Sequence, residues 1–456
     1  MAKSAPVLVL VGTLATGCSA LELDVAIEVL LPADDSDLTR TNNVSLTVEP
    51  LGTVESFNAD GLDFSVSLSL EPQNTPQTVS LFMADDETLL AWGRSAPVSL
   101  AGSGSGAALL VTRPDVLSSF DVSFDAPDAD ALAAPLADIG MLVLAADGTA
   151  VFLDVRGWEL QGVSAIDTDA VLDPTDGVLV ADTAGGVQRV GTREGLSVQR
   201  FDPLQDVWTT RTPSDEDVAR FDQRPDAAIV QTDPDTLWVL GGGDHLDVVS
   251  VSLDIEATEL ATLADTPPLD APRPGAVPIV VHRGDDSPSS TVLFGADDDR
   301  PVTWLVERGE AHGPAGPWTG AACATLDPPE PDVPIRVLCM GGLRNRSPTG
   351  DAVLLTLRPD GDTDPPEVTE YPDLLAGPMA EPLALPAASA VYAQGDGRAM
   401  HIALEGLTAA PSVHSPTRAT GGSVAALPLG VTFVVGGASA DGTPLARWST
   451  FMPSPG

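Results

Sequence analysis

The sequence predicts an all-β protein, for reasons of composition and of local pattern. Of its 456 residues 43% are hydrophobic, while 42 glycines and 41 prolines interrupt the chain every few residues. Interruption at this frequency favours many short strands over long helices. The length exceeds that of one ordinary hydrophobic core, so we expect a small domain joined to a large one that is built from repeats.

The charge is strongly acidic and excludes two classes of partner. The chain has 66 acidic and 22 basic residues, a formal net charge of −44, and Lys3 is its only lysine. Proteins bind nucleic acids and anionic membrane surfaces through dense basic patches, and no dense cluster of arginines occurs in this sequence. Such partners would therefore repel this protein. Two explanations of the acidity remain. One is solubility, which the even spread of the charge favours, and the other is binding of calcium or of a cationic partner.

The first residues are predicted to be an export signal. One positive charge precedes an apolar stretch, residues 5–15, which is too short to span a bilayer and fits a signal peptide. Its end, LATGC, resembles the lipobox of bacterial lipoproteins. The resemblance implies removal of residues 1–17, a diacylglycerol on Cys18 and, because Ser19 follows, sorting to the outer membrane. The alternative is an ordinary signal peptide that is cut at a nearby small residue.

Alternating segments predict a β-sandwich over residues 18–116. From Leu21 the segment LELDVAIEVLLP alternates apolar and polar side chains, as a half-buried antiparallel strand does. Five further segments of this kind follow at about ten-residue spacing, separated by turn residues. The pattern resembles the immunoglobulin or fibronectin type of sandwich, without the Cys…Trp…Cys core of antibody domains.

Short apolar runs that end in glycine or other small residues recur seven times in the rest of the chain. They lie roughly 37 to 60 residues apart, a period typical of propeller blades. The runs are MLVLAADG, GVLVADTAGG, LWVLGGGD, TVLFGADDD, VLCMGG, AVYAQGDG and TFVVGGASADG. A second strand-like segment, such as DVVSVSLD or DAVLLTL, follows several of them, so each run would belong to one blade.

The order of these segments resembles the kelch repeat, in which an apolar strand, a glycine pair, an aromatic strand, an Asp-Pro turn and a tryptophan follow one another. Three runs keep a clean glycine pair, and one unit has Asp-Pro before Trp208. The resemblance implies a kelch-like β-propeller over residues 117–456, with seven blades favoured over six. The turn glycines are Gly241, Gly242, Gly341, Gly342, Gly436 and Gly437.

Glycine suits these turns for a steric reason. A turn that ends a strand near the central channel needs a positive φ or a close backbone approach, which a Cβ obstructs. The rival interpretation is a phosphate-binding loop, which requires a helix after the glycines and usually a lysine. Each pair here leads into a strand-like segment with no lysine near it.

The last blade is one strand short in the sequence. The chain ends soon after the strand that follows the last glycine pair, and an open propeller would leave an exposed edge. We expect the alternating segment Ser118–Phe124 to pair with the strand Arg447–Met452 and to close the ring.

Two cysteines, Cys323 and Cys339, are predicted to form a disulfide. The loop between them is rich in proline and acid and suits the turn of a hairpin, and the two residues stand about equally far from its centre. Opposed residues in an antiparallel ladder have the Cα separation that a disulfide accepts, and export places them in an oxidising compartment. The alternative is a pair of buried free thiols.

No motif predicts catalysis. The histidines are His245, His282, His312, His401 and His414, none of them paired at metal-ligand spacing. His245 lies in a strand-end loop beside Asp244, which could orient its ring. Copper oxidases that join a sandwich to a kelch propeller use two tyrosines at the metal, but Tyr371 and Tyr392 stand in no motif of that family.

One acidic run could bind calcium. Asp360, Asp362 and Asp364 alternate along the chain, and oxygen ligands at that spacing can wrap a calcium ion. The run lacks the closing glutamate of an EF-hand, so a solvated loop is the favoured interpretation, as it is for residues 297–299. We expect no other cofactor.

These features together predict an envelope lipoprotein that contacts the membrane through its lipid alone. Its propeller face would bind or scaffold an envelope protein or a polysaccharide without catalysis, facing either the periplasm or the cell surface. The alternative is a secreted propeller hydrolase or oxidase that acts on a carbohydrate or polymer, because propellers host both kinds of function. A cluster of perturbed acids and histidines at the channel mouth would favour the enzyme.

Substituting Cys18→Ala is expected to move the protein from the membrane fraction to the soluble fraction, because each lost acyl methylene removes about 0.8 kcal/mol of membrane affinity. Cell fractionation and the intact mass of the wild-type protein provide the measurement. An unmodified amino terminus downstream of Cys18 would disprove lipidation.

Overall fold

Short strands make up almost all of the regular structure, as the composition predicts. The structure is a computed structural model. It describes residues 23–24, 26–32, 36–62, 69–70, 75–99, 106–120, 131–136, 139–166, 177–282, 290–326, 333–358, 365–380, 382–387, 390–395, 398–412, 419–420, 423–427, 429–439 and 448–455. Cys18, His414 and the acidic run Asp360–Asp364 lie outside these ranges.

Seven four-stranded antiparallel sheets, blades 1 to 7, follow one another along the chain. The strands of blades 1 to 4 are Leu132–Leu136, Gly140–Leu144, Ala150–Asp154 and Glu159–Val163; Val178–Ala181, Val187–Gly191, Ser197–Asp202 and Val207–Arg211; Ala228–Asp233, Thr236–Leu240, Val248–Ser252 and Ala261–Leu263; Val277–Val281, Ser290–Phe294, Pro301–Leu305 and Glu310–Ala315. Those of blades 5 to 7 are Ala322–Thr325, Ile335–Met340, Ala352–Leu357 and Glu367–Tyr371; Leu383–Pro386, Ala390–Gly395, Arg398–Ala403 and Thr408–Pro411; Ser423–Ala426, Thr432–Val435, Trp448–Phe451 and Leu117–Phe120.

Hydrophobic packing between consecutive blades joins them into a ring. One buried cluster lies between each neighbouring pair, for example Val190 and Val239 between blades 2 and 3, and Tyr392 and Phe451 between blades 6 and 7. The same holds for the other pairs, including blade 7 with blade 1. The first strands of most neighbouring blades contact one another, so they surround the centre. The architecture is that of a seven-bladed propeller.

The ring is closed by a strand from the start of this region, as predicted. Leu117–Phe120 pairs antiparallel with Trp448–Phe451, in the register Trp448 opposite Phe120 and Phe451 opposite Leu117. The prediction of residues 118–124 was therefore right in kind, although the described strand begins one residue earlier and ends at Phe120. This pairing covers the outer edge of the third strand of blade 7.

Six of the seven apolar runs form second strands, and one does not. The run GVLVADTAGG contains the first strand of blade 2, Val178–Ala181, and its glycines form the turn that follows. A Cβ on Gly186 would come within 2.7 Å of the carbonyl oxygen of Phe201. A side chain at that turn would therefore clash, so glycine is required there too. The pattern of an apolar run followed by glycines thus occurs here at the first strand of a blade, and not at the second.

The three clean glycine pairs follow the second strands of blades 3, 5 and 7. All six residues have positive φ, between 63° and 95°. A Cβ on Gly342 would come within 2.5 Å of the carbonyl oxygen of Thr319, so both the conformation and the close approach require glycine there. These turns define one end of the ring, here called the glycine face. The opposite end carries the turns between first and second strands and is called the Asp182 face.

A six-stranded sheet and a two-stranded sheet precede the ring. The six strands, in spatial order, are Ala26–Leu30, Gly106–Thr112, Thr88–Ser95, Thr78–Asp85, Asn43–Glu49 and Thr53–Asn58. The first two run parallel and the others antiparallel. Leu23–Asp24 and Ser69–Leu70 form the two-stranded sheet. One face of the large sheet has its own buried core, which contains Val44, Leu46 and Val48.

The other face of this sheet packs against blades 1 and 7. Ala108 and Leu110 join the buried cluster between those two blades. The indole of Trp158 donates to the carbonyl of Ala108 at 3.2 Å, and that of Trp92 donates to the carbonyl of Pro453 at 2.9 Å. The sheet is therefore fixed to one sector of the ring by apolar contact and by hydrogen bonds.

The remaining elements lie in the loops. They are the helix α1 (Asp215–Arg220), a 3-10 helix (Ser36–Arg40) and the short strands Trp318–Thr319, Leu343–Arg344, Ser347–Pro348, Ala419–Thr420 and Ala438–Ser439. A capping box of Ser214 and Asp217 begins α1. Within the described ranges, no helix has the length and apolarity needed to cross a bilayer.

The predicted disulfide joins the first two strands of blade 5. Cys323 is directly opposite Cys339 in the register, with a Cα separation of 4.1 Å. Cys339 is fully buried between blades 4 and 5. The bond therefore links a strand at the channel to the strand next to it.

Reducing this disulfide should lower the free energy of unfolding by about 3 kcal/mol, because the bond restricts the unfolded chain over a separation of 16 residues. Urea unfolding with and without a reductant measures the change. Alkylation of the denatured, unreduced protein is the accompanying test, and labelling of both cysteines would contradict the bond.

Candidate functional site

An open cleft of about 330 Å³ lies on the Asp182 face, where blades 2, 3 and 4 meet at the channel. Its lining consists of Ala181, Asp182, Thr183, Gln231, Asp233, Pro234 and His282. Each of these residues lies within two residues of the end of a first strand, as Asp182 follows Val178–Ala181 and His282 follows Val277–Val281. Because first strands surround the channel, side chains at their ends converge on its mouth.

Asp182 is the buried charged group of the cleft. Its side chain is 1% exposed and accepts hydrogen bonds from Nε of Arg200 at 2.6 Å and from the backbone N–H of Gly186 at 2.7 Å. Burial alone raises the pKa of this carboxyl, but the hydrogen bonds from Arg200 and Gly186 outweigh burial and hold the pKa below its usual range. Asp182 therefore remains an anion that is fully engaged by the protein.

Hydrogen bonds around Asp182 also connect blade 2 to blade 3. The amide of Gln188 donates both to Asp182 and to the carbonyl of Leu253. Arg211, at the end of blade 2, donates to the carbonyl of Ser252 at 3.1 Å. These bonds cross the boundary between the blades, so this side of the cleft is rigid.

The blade 3 side of the cleft is also held by hydrogen bonds. The side-chain amide of Gln231 donates to the carbonyls of Ala181 at 3.1 Å and of Pro234 at 3.2 Å. The hydroxyl of Thr183 donates to Asp235 at 2.6 Å. Asp233 accepts the backbone N–H of Asp235 at 3.0 Å and is otherwise exposed.

The glycine face carries a different device, a side chain that clamps the turn after the second strand. Arg224 donates to the carbonyl of Gly241 at 3.1 Å, Arg273 donates to that of Gly295 at 2.9 Å, and the indole of Trp318 donates to that of Gly341 at 2.7 Å. Each clamp stands four residues before the first strand of its own blade and is almost fully buried. Each clamp therefore fixes the segment before a blade to the turn after the second strand of that same blade.

Sequence reasoning missed these clamps, although a signal for them was present. RPDAAIV and RPGAVPIV, which begin at Arg224 and Arg273, share the spacing from arginine to the first strand. Each arginine also has an acidic partner, Asp247 at 2.8 Å and Asp270 at 3.0 Å. An arginine that repeats at a fixed distance before a strand would have indicated a buried structural cation.

The structure separates the predicted histidines. His245 lies in a turn on the glycine face, and the carboxylate near it belongs to Asp247, at 3.9 Å from Nδ1, and not to Asp244 as the sequence suggested. His312 lies on the fourth strand of blade 4 beside Glu310. His401 packs edge-on against Tyr392 inside blade 6. Of the four histidines that the structure describes, only His282 reaches the cleft, and sequence reasoning had given it no special weight.

Burial raises the pKa of Glu307, unlike the lowered pKa values of the aspartates described above. Hydrogen bonds from its own backbone N–H and from Thr291 act against that rise. Glu307 lies in a separate cleft between blades 4 and 5, together with Ser290 and Arg308. This cleft is separate from the one that His282 lines, although its Ser290 is directly opposite Val281, the residue before His282, in the register of blade 4.

Metal ligation finds no support in the part of the chain that the structure describes, where no group of three or more His, Cys, Asp or Glu side chains could hold an ion. Asp297, Asp298 and Asp299 lie within that part. Asp298 instead pairs with Arg300 at 2.9 Å.

Comparisons with known proteins leave the family open. No family model matches the chain. No curated protein matches it either. Among solved structures it is similar to that of YjhT, at 10% sequence identity and a TM-score of 0.37, over 72% of this chain and 95% of that one. The fold and the cleft by themselves define an all-β protein of the propeller type with a polar cleft at one mouth of its channel.

Substituting Asp182→Asn should destabilise the protein by about 3 kcal/mol, because it leaves the buried guanidinium of Arg200 without its partner. Asp202→Asn is the matched control, since that carboxylate lies 3.7 Å from Arg200 and is more exposed, and should cost less than about 1 kcal/mol. Chemical unfolding at neutral pH measures both values.

The effect of Asp182 should also depend on pH. Its pKa is lower in the folded protein than in the unfolded chain, so the stabilisation is present above the unfolded value of about 3.9 and is lost as the pH falls through the folded value. The difference between wild type and Asp182→Asn should therefore shrink below about pH 4. A difference that stays constant down to pH 2 would contradict the assignment.

Proposed function

We propose that this protein is an envelope-anchored bacterial lipoprotein with a kelch-type propeller that binds or scaffolds a partner without catalysis. The cleft on the Asp182 face is the binding site. The anchor is the lipid on Cys18, and sorting through Ser19 places the protein in the outer membrane. The partner is an envelope protein or a polysaccharide.

The hydrogen bonding of Asp182 in the cleft is the observation that supports a binding role. A general acid or base needs a pKa near the working pH and a proton that it can exchange. Asp182 has the opposite properties, because its pKa is lowered and its oxygens accept bonds from Arg200, Gly186 and Gln188. The cleft thus consists of fixed polar groups of the kind that orient a ligand.

Access to the cleft supports the same role. The N-terminal sheet packs against blades 1 and 7, whereas the cleft belongs to blades 2, 3 and 4. A module that is fixed to one sector leaves the opposite sector of the ring open to a partner. A lipid at Cys18 would attach to this module and not to the blades that form the cleft.

Filling the cleft should abolish partner binding. Pro234→Trp places an indole in the lining of the cleft, while Leu204→Trp, at a side chain that is 94% exposed on blade 2, adds the same group outside it. Each variant and the wild type are purified in detergent from their own membranes. Mass spectrometry and sugar analysis then identify the material that comes with them.

The expected result is material that accompanies the wild type and Leu204→Trp and is missing from Pro234→Trp. Retention by both variants would place the binding surface elsewhere. Turnover of the accompanying polymer by the wild type alone would favour the enzyme.

A further inference from the structure

The side-chain donors of Gln231 and Thr183 in the cleft are already used by the protein. The amide nitrogen of Gln231 faces the carbonyls of Ala181 and Pro234, and because both partners are acceptors, this orientation of the amide is fixed. The hydroxyl of Thr183 donates its hydrogen bond to Asp235. Among the described neighbours, these side chains offer no further N–H or O–H to a ligand.

The acceptors of the cleft, in contrast, are open. Oε1 of Gln231 has no partner among the described residues and is not among the buried polar atoms, so solvent reaches it. Asp233 uses Oδ1 for the N–H of Asp235 and leaves Oδ2 open within the same ranges. A ligand in the cleft therefore meets an amide oxygen and a carboxylate oxygen.

The charges around the cleft favour a cation. The titratable groups that face it are Asp182, Asp233 and His282, with Asp235 directly behind. The positive charge of Arg200 is engaged by Asp182 and lies 3.7 Å from Asp202. Arg211 donates to backbone carbonyls of blade 3. In the part of the chain that the structure describes, no guanidinium group pairs with the carboxylates of Asp233 and Asp235.

We propose that the cleft recognises an ammonium group whose N–H groups donate hydrogen bonds to Asp233 and to Oε1 of Gln231. This inference deepens the proposed binding function and rests on it. An ammonium group supplies hydrogen-bond donors and no acceptor, which complements the open oxygens of Asp233 and Gln231. The group could be carried by an amino sugar of a polysaccharide or by a lysine of a protein partner.

A metal ion is the competing cation, and the structure disfavours it. Calcium takes six to eight oxygen ligands, usually several of them carboxylates. The described residues contain no group of three or more candidate side chains at any point, and the cleft offers a single open carboxylate with one amide oxygen. Such a set suits one ammonium group.

The test uses pairs of probes in which acetylation removes the ammonium group. Calorimetry with the full-length protein in detergent, at physiological salt, compares a glucosamine trimer with its N-acetylated form, and N-terminally acetylated trilysine with the same peptide acetylated on its side chains. Calcium chloride alone is a fifth probe. The sugar and peptide arms distinguish the two sources of the ammonium group.

Asp233→Asn is the diagnostic variant, because it removes the charge and keeps the oxygen that accepts the N–H of Asp235. Glu256→Gln is its control, an equal change of charge on an exposed side chain of the same face of blade 3. A cationic probe is expected to bind at one site in wild type and Glu256→Gln. Binding should fall about tenfold, or 1.4 kcal/mol, in Asp233→Asn and in the wild type with the acetylated probe.

Four results would overturn the inference. They are equal affinity for acetylated and cationic probes, equal weakening by Glu256→Gln and Asp233→Asn, calcium binding that depends on Asp233, and the absence of binding by every probe. The proposed function is judged separately. If Pro234→Trp loses a partner but no ammonium probe binds the wild type, the proposed binding function stands and the ammonium inference is wrong.

Discussion

Every blade must bury both of its faces, and the rest of the structure depends on this constraint. A four-stranded sheet with two apolar faces is stable only between two others, so the seven blades need a closed ring. The cluster of Met141, Phe433 and Trp448 between blades 1 and 7 completes the circle. The strand that begins at Leu117 then supplies the last edge. Because this strand directly follows the last strand of the N-terminal sheet, closing the ring also fixes that sheet against blades 1 and 7.

Charged residues hold this acidic ring together in places where apolar contacts cannot. Turns at the ends of strands leave carbonyl groups that need donors, and buried arginines such as Arg224 and Arg273 supply them. Aspartates such as Asp247 then balance the arginines, and the bond from Arg224 keeps the pKa of Asp247 low despite its burial. Part of the acidity is therefore structural, which net charge alone does not reveal.

The parts of the structure that depend on local pattern could be predicted from the sequence. Alternation and glycine turns indicated the blades, the short last blade indicated closure by the segment from Ser118, and symmetry about a loop paired Cys323 with Cys339. The cleft could not be predicted, because Asp182, Gln231 and His282 come from three blades and no spacing relates them. The strand that closes the ring could be inferred from the unpaired edge of the last blade. The meeting of side chains at the channel mouth, in contrast, depends on how all the blades are arranged.

Asp182 and Asp233 show that position in the fold, and not residue type, decides whether a carboxylate is buried or faces solvent. Both are aspartates at the ends of first strands in neighbouring blades. Arg200 reaches Asp182 from the third strand of blade 2, so that carboxylate is buried and saturated. In the register of blade 3, Asp233 is opposite Thr236 at the turn into the second strand, and its carboxylate faces solvent. A carboxylate that an arginine can reach is buried and stabilises the ring, whereas one beyond that reach stays exposed to solvent.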